Sequence, residues 1–200
     1  MSPRPYQLGK RQAQIDDARR RVLDAARALL VESVSYTAFT VDTVARRAGV
    51  ARATVYYQFG SKTGLLEALC DALADAGGMD HLRQAFVDPD PLTGLEVFVR
   101  TFAVFWDADR PAMRRLRALA PLDPDVGVVL AARDGRRRQG LDALIGRHSL
   151  AAPEAAEEVG RVLHVLTSFE TFDALAADRR CVDVVPTVIT LAGSVLRPPS

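Results

Sequence analysis

The polar side chains best suited to binding chemistry lie in one short helical segment, ARATVYYQF, at residues 51–59. Ala51, Val55 and Phe59 recur there at i, i+4 and i+8, which predicts one buried helix face. The other positions carry two tyrosines, a threonine and an arginine, all of which form hydrogen bonds. A helix with this outer surface is suited to contacting a polar partner.

A second short helix is predicted immediately before this segment. Thr40 is a natural N-cap, and Gly49 supplies the left-handed residue that ends a helix. The apolar residues between them recur at i, i+3, i+4 and i+7 and are Val41, Val44, Ala45 and Ala48. Two short helices joined by a glycine turn over residues 40–59 are typical of a helix-turn-helix whose second helix enters a DNA major groove.

Charge is distributed unevenly along the 200 residues, although the net charge is only +1. Residues 1–62 hold eleven basic and five acidic residues, a net charge of +6, and the remainder carries −5. Such asymmetry indicates that the N-terminal part meets a polyanion. Residues 1–14 are interpreted as a flexible basic tail that either reaches DNA phosphates or is simply disordered.

Helices are also predicted on both sides of the helix-turn-helix. An amphipathic helix is expected over residues 15–33, and Gly60 and Ser61 separate the second short helix from another that ends at residues 77–78. Lys62 lies in the first turn of that last helix, where the helix dipole disfavours a cation. Its position fits a phosphate contact, and the alternative is an ordinary exposed lysine.

These motifs together resemble the N-terminal DNA-binding domain of the TetR family of transcriptional regulators. The similar stretch covers about residues 16–70 and includes the run TVDTVARRAGVARATVYYQFGSK. One departure is Ala51, which stands where the family usually has a capping serine or threonine and forgoes about 1 kcal/mol.

The resemblance implies that two protomers read a palindrome, each with its second short helix in the major groove. It implies base or near-base contacts by Arg52, Thr54, Tyr57 and Gln58, approach to a thymine methyl by Ala53, and phosphate contacts by Thr40, Tyr56 and Lys62. Arginine and glutamine pair bidentately with guanine and adenine, which fits these roles. For Tyr56 the alternative is a half-buried packing role, and for Gln58 it is exposure without contact.

The rest of the chain is predicted to be all-α, because no segment alternates apolar and polar residues convincingly. We expect helices over residues 92–106, from about 110 to 119, 125–147, 151–177 and 182–196. The predicted organisation is therefore an N-terminal three-helix DNA-binding domain at residues 15–77, followed by a helical bundle at residues 78–200.

In the resembled family this bundle binds an effector and forms the dimer. The last two helices are apolar on most sides and predict a homodimer surface, with burial inside the monomer as the alternative. Residues that would line an effector pocket are mostly aromatic, and the alternative for each is plain core: Phe98, Phe102, Phe105, Trp106, Met113, His164 and Phe169.

Other classes of protein receive little support from the chain. No serine-hydrolase, zinc-protease or Walker motif occurs, so we expect no enzyme, metal or cofactor. Cys70 and Cys181 match no metal spacing and are interpreted as buried hydrophobes in a reducing cytoplasm. No apolar run reaches the ~18 residues that span a bilayer.

We therefore expect a cytoplasmic, homodimeric repressor of a palindromic operator, released by a small apolar or aromatic ligand. The alternative is a constitutive DNA-binding protein without a ligand pocket.

Overall fold

Helical periodicity governs nearly the whole chain. The computed structural model describes residues 4–32, 39–148 and 150–196, and these contain α-helices, two short 3-10 helices (Met79–His81 and Cys181–Val184) and no strand. The α-helices are α1 (Arg4–Glu32), α2 (Val41–Ala48), α3 (Arg52–Phe59), α4 (Lys62–Ala76), α5 (Leu82–Val87), α6 (Pro91–Ala108), α7 (Arg110–Leu119), α8 (Pro124–His148), α9 (Ala156–Leu166), α10 (Phe169–Ala176) and α11 (Val185–Leu196). The all-α prediction is confirmed.

The helices pack into two units. One contains the described residues up to Ala72 together with Arg114–Val129, and the other contains Leu73–Met113 and the residues from Leu130 onward. The predicted boundary between residues 77 and 78 concerns function and stays a prediction. By packing, the end of α7 and the start of α8 group with the N-terminal helices, which no local sequence pattern indicated.

The first unit is built on the apolar stripes of α1, α2 and α4. Its fully buried side chains include Val22 of α1, Val44 of α2, Val55 of α3 and Leu65 of α4. At about 25 cal/mol per Å² of apolar surface, burying each contributes roughly 1.5–3 kcal/mol. The two eight-residue helices α2 and α3 are too short to be stable alone and are thus held by packing rather than by propensity.

The second unit has an aromatic core that centres on α6. Phe98 and Phe172 are fully buried there, as are Leu141, Leu144 and Leu163. Gly140 of α8 lies against Phe98, and a Cβ at this glycine would approach the ring to 3.1 Å. The small residue thereby lets α8 come close to the ring.

The first helix is longer than the sequence predicted. It begins at Arg4 instead of residue 15, so residues 4–14, predicted as a tail, are the first turns of α1, and residues 1–3 lie outside the described part. Pro5 is the second residue of the helix, where the missing N–H costs no hydrogen bond. The following Gln, Lys, Arg and Ala residues are good helix formers.

The single helix predicted over residues 151–177 is wrong, because α9 and α10 are separate helices. Ser168 is extended, with φ −71° and ψ 157°, and its hydroxyl caps α10 by accepting from the Thr171 N–H. Carbonyls freed at the break accept bonds from other helices: Arg137 donates to His164 O, and Trp106 Nε1 donates to Thr167 O at 3.2 Å. The break is therefore built by partners distant in sequence.

Candidate nucleic-acid interface

The helix α2 is fixed at both ends by its own sequence. Thr40 Oγ1 accepts from the Thr43 N–H at 3.2 Å, and Thr43 Oγ1 accepts from the Thr40 N–H at 3.0 Å. Gly49 is left-handed, with φ 65° and ψ 36°, and its N–H reaches back to the carbonyls of Ala45 and Arg46. This capping box and left-handed end confirm the predicted limits of α2. The Thr40 hydroxyl, predicted to bind phosphate, serves here as the helix cap.

The helix α3 buries one side and leaves a polar side in solvent. Val55 is 1% exposed and Phe59 is half-buried, whereas Tyr57 is 81% exposed and Tyr56 39%. Arg52 and Ala53 are also exposed, and Thr54 is half-buried. We call Arg52, Ala53, Thr54, Tyr56 and Tyr57 the α3 face. Ala51 makes no side-chain cap, as expected from its lack of a hydroxyl.

Arg52 is held in place although its side chain is 60% exposed. Its Nη2 donates to the Tyr56 hydroxyl and its Nη1 to Asp42 Oδ2, both at 3.3 Å. The guanidinium carbon lies 5.4 Å from the centroid of the Tyr56 ring. The hydrogen bond with Tyr56 and the charge of Asp42 raise the pKa of Arg52, so this cation is permanent. Asp42 therefore orients Arg52, a role that the sequence did not indicate.

Gln58 does not belong to the α3 face. Its Nε2 donates to the backbone carbonyl of Ile15 in α1 at 3.3 Å, and its Oε1 is buried without a hydrogen-bond partner. Two basic residues of α1 also contact the helix-turn-helix. Arg21 donates to Ala48 O at 3.2 Å, and the guanidinium carbon of Arg19 lies 4.7 Å from the centroid of the Phe59 ring. Gln58 joins α3 to α1 in this structure.

Lys62, the first residue of α4, is engaged by carboxylates. Its Nζ forms a close ion pair with Asp123 and lies 3.8 Å from Asp125 Oδ2. Its side chain is 24% exposed. The alternative of an ordinary exposed lysine is therefore wrong, and the predicted phosphate contact has an internal competitor. No sequence signal indicated these partners, which lie 61 residues or more along the chain.

Five of the residues predicted to line a pocket, all Phe or Trp, form a packed aromatic cluster in the second unit. Phe98, Phe102, Trp106, Met113 and Phe169 are buried, and Phe105 and His164 are half-buried. Ring centroids are 4.9 Å apart for Phe98 and Phe102, 4.6 Å for Phe105 and Trp106, and 5.6 Å for Trp106 and Phe169. These distances are those of aromatic rings in direct contact.

An open cavity of about 560 Å³ lies in the same unit, lined by other residues than those predicted. It uses the end of α4, the segment after it and one side of α6, with Val97 and Val104 on its apolar walls and Arg100, His81 and Gln84 as polar groups. No sequence pattern predicts this cavity, because its walls combine the turn at residues 76–78 with one side of an ordinary amphipathic helix.

Neither cysteine has the setting of a reactive thiol. Cys70 and Cys181 are both buried, and neither forms a disulfide. Burial and the nearby Asp107 carboxylate raise the pKa of Cys181 to about 12. Among the described residues no cluster of three or more histidine, cysteine, aspartate or glutamate side chains is arranged to hold a metal ion. No helix in those residues has the length and apolarity to span a membrane.

Comparison with known proteins agrees with this geometry. Residues 22–69 match the family model for bacterial regulatory proteins of the tetR family. The chain is 46% identical over 85 residues to the HTH-type transcriptional regulator AlkX of Mycobacterium tuberculosis. This aligned stretch covers 42% of the chain and 39% of AlkX. The chain is also 34% identical over 92 residues to the HTH-type transcriptional regulator EthR of Mycolicibacterium smegmatis. That alignment covers 44% of this chain and 42% of EthR. The matched stretch thus spans less than half the length of either regulator.

The fold extends this similarity over most of the chain. The crystal structure of FadR from Bacillus subtilis, in complex with stearoyl-CoA, superposes with a TM-score of 0.63 over 89% of this chain and 99% of FadR, at 17% identity. The helix-turn-helix, its sequence matches and this fold lead to one assignment. Residues 22–69 are therefore a domain of the tetR-family type, and the chain as a whole has the fold of solved TetR-family regulators.

Proposed function

We propose that the protein is a homodimeric, ligand-responsive repressor that binds a palindromic operator with α3 in the major groove. The observation that carries the proposal is the α3 face, where Arg52 and Tyr57 lie in solvent on a helix anchored by Val55. An arginine oriented by Asp42 and Tyr56 is suited to bidentate pairing with guanine. Ala53 leaves room for a thymine methyl beside it.

We assign the phosphate contacts to hydroxyl and cationic groups around this helix. Tyr56 is exposed and Thr40 stands at the exposed N-terminus of α2, so both are placed to fix register rather than sequence. The predicted contact by Lys62 requires release from its two carboxylates. Residues 15–77 carry DNA binding in this proposal, and residues 78–200 carry effector binding and dimerisation.

Ligand control follows from thermodynamic linkage. A ligand that binds best when the two α3 helices are wrongly spaced weakens DNA binding by the same factor. The spacing required by successive major grooves is ~34–36 Å. The cavity of about 560 Å³ supports a small, mainly apolar ligand, and its polar groups would fix orientation. FadR, which has a related fold, was crystallised in complex with stearoyl-CoA, a molecule with a long apolar chain and a polar end.

The alternative, a constitutive DNA-binding protein, is favoured by one feature. The aromatic residues predicted as pocket lining are packed against each other instead of surrounding a space. A chain without a ligand would keep this core and would bind its operator identically under all conditions.

Selection of duplexes from a randomised DNA library tests the DNA-binding part of the proposal. We expect enrichment of a palindrome whose half-sites are centred about one or more helical turns apart. Failure to enrich any motif would contradict the assignment of sequence-specific binding.

A fluorescence screen tests the ligand part. Trp106, the single tryptophan of the chain, lies in the aromatic core and reports changes of packing there. We expect compounds that change its emission to release the selected duplex with the same concentration dependence. Compounds that bind without releasing DNA would contradict ligand control, whereas the constitutive alternative, which has no ligand pocket, expects no compound to bind.

A further inference from the structure

The N-terminus of α4 faces an acidic turn of the same packing unit. Asp123 precedes α8 and Asp125 lies in its first turn, and both carboxylates approach the ammonium of Lys62. The Asp123 side chain is 19% exposed, which limits screening by solvent. One cation beside two carboxylates leaves a local charge of −1, which repels phosphate.

The two carboxylates are held by further bonds. Asp123 Oδ1 accepts from the Asp125 N–H at 3.1 Å, an N-cap interaction of α8. Asp125 Oδ1 accepts from the Thr63 hydroxyl of α4 at 2.8 Å. We call Asp123 and Asp125 the acidic latch. Because both members are oriented by backbone or hydroxyl groups, the latch is a built contact and not a chance pairing of mobile surface side chains.

We propose that the acidic latch regulates DNA affinity by competing with a DNA phosphate for Lys62. In the latched state Lys62 is neutralised, and DNA binding exchanges the carboxylates for phosphate oxygens. The inference rests on the proposed function, because it assigns Lys62 to the DNA-facing side of the unit.

Chain connectivity gives the latch a route to the rest of the protein. The α7–α8 turn that carries it packs in the first unit, whereas residues Arg110–Met113 of α7 and those of α8 from Leu130 belong to the second. A ligand that displaces the part of α7 or α8 lying in the first unit would move the carboxylates relative to Lys62. Release or tightening of one ion pair per protomer would change affinity without any change at the α3 face.

Neutralising the latch in the full-length chain tests the inference. Asparagine also caps helices, so Asp123→Asn and Asp125→Asn keep the start of α8 intact. With a mixed-sequence duplex of more than two helical turns, we expect the double variant to bind about tenfold more tightly at low salt. The slope of log affinity against log salt should steepen by about one per bound protomer, since one more phosphate is neutralised.

Two matched variants control for the change of charge. Asp142→Asn removes an equally charged residue that is ion-paired to Arg138 at 2.8 Å in the other unit, and it should leave the slope unchanged. In a Lys62→Ala background the latch substitutions should gain nothing, because the cation they release is gone. Unchanged or weaker binding of the double variant, or a gain that persists without Lys62, would overturn the inference.

A measurement without DNA separates this inference from the proposed function. A double-mutant cycle on the melting temperature should show coupling between Lys62→Ala and Asp123→Asn, whereas additive shifts would refute the latch. A wild-type chain that shows the coupling but binds no duplex would contradict the proposed function and the competition with it. If the wild-type chain binds DNA and the latch variants bind it with the same affinity, only the latch is contradicted.

Discussion

An exposed arginine samples many rotamers, and ordering it on binding costs up to about 2 kcal/mol. Arg52 avoids part of this cost, because Asp42 and the Tyr56 hydroxyl each hold it at 3.3 Å before any partner arrives. Exposed ion pairs add little to stability, about 0–1 kcal/mol. The consequence of this pair therefore lies in orientation, which reduces the entropy lost when the guanidinium meets a base.

Substituting Arg52 by alanine tests its role in reading sequence. We expect Arg52→Ala to lose about 1–3 kcal/mol of discrimination between the selected duplex and random DNA, because a bidentate base contact disappears. Competition titration of the two duplexes measures this difference. Arg83→Ala, the same change of charge at an exposed residue of the second unit, should leave the ratio unaltered. Equal losses on both duplexes for Arg52→Ala would mean that it only grips phosphate.

Sequence reasoning located the α3 face but not the partners of its neighbours. The period of α3 was sufficient to assign Val55 to the core and Tyr57 to solvent. The resemblance implies DNA contacts for Gln58 and Lys62, yet in the structure they contact Ile15 and Asp123, 43 and 61 residues away. Helical periodicity predicts which side of a helix is polar. It does not state which distant backbone carbonyl or carboxylate will face that side.

At the scale of elements, the break between α9 and α10 depends on one buried cation of α8. Arg137 is 5% exposed and donates to His164 O at 2.5 Å and to Thr167 Oγ1 at 2.9 Å. Its Nη2 also pairs with Asp134 at 3.2 Å. A single side chain thus satisfies carbonyl and hydroxyl groups at the C-terminus of α9, where helical bonds end.

Removing this side chain should destabilise the bundle strongly. Arg137→Ala leaves buried acceptors without their donor, and we expect a loss of about 3–5 kcal/mol in the free energy of unfolding. Urea denaturation followed by circular dichroism measures the change. Arg138→Ala is the matched control, since its partner Asp142 is 48% exposed, and it should cost at most about 1 kcal/mol. A small effect at position 137 would show that water replaces the guanidinium.

The sequence predicted most helices well because each has an apolar stripe of the right period. The limits of α2 could be predicted to the residue, since Thr40 and Gly49 define them locally. The break after α9 could not, because apolar residues continue in phase from Val159 to Phe172 across it. The start of α1 at Arg4 was also missed, since prolines and basic residues were read as a tail although they suit a first helical turn.

For the whole molecule, the two surfaces that the proposed function requires lie in different parts of the sequence. The excess of positive charge lies in residues 1–62. Exposed apolar side chains occur on several helices, and on the last ones they include Val165 at 60% and Leu191 at 42%, on α9 and α11, which pack together. A polyanion and a second copy of the chain would therefore use different parts of the sequence, as a dimeric reader of a palindrome requires.

Charged residues on α9 and α11 should separate the dimer while leaving each protomer folded. In Val165→Glu with Leu191→Glu, both substitutions lie at solvent-exposed positions, so the monomer should lose little stability. The same glutamates in a two-fold interface would be buried opposite their own copies and repel. Sedimentation velocity should show a wild-type dimer and a variant monomer with unchanged helical circular dichroism.

Loss of the dimer must also appear in DNA binding, because the second half-site is then no longer bound intramolecularly. With an effective concentration near millimolar, linking two readers raises affinity by about 10²–10⁴, and the variant should lose that factor on a palindrome but not on an isolated half-site. Val87→Glu, at an exposed valine of α5 in the same unit, controls for added charge and should remain dimeric. A wild-type chain that sediments as a folded monomer at micromolar concentration would contradict the interface.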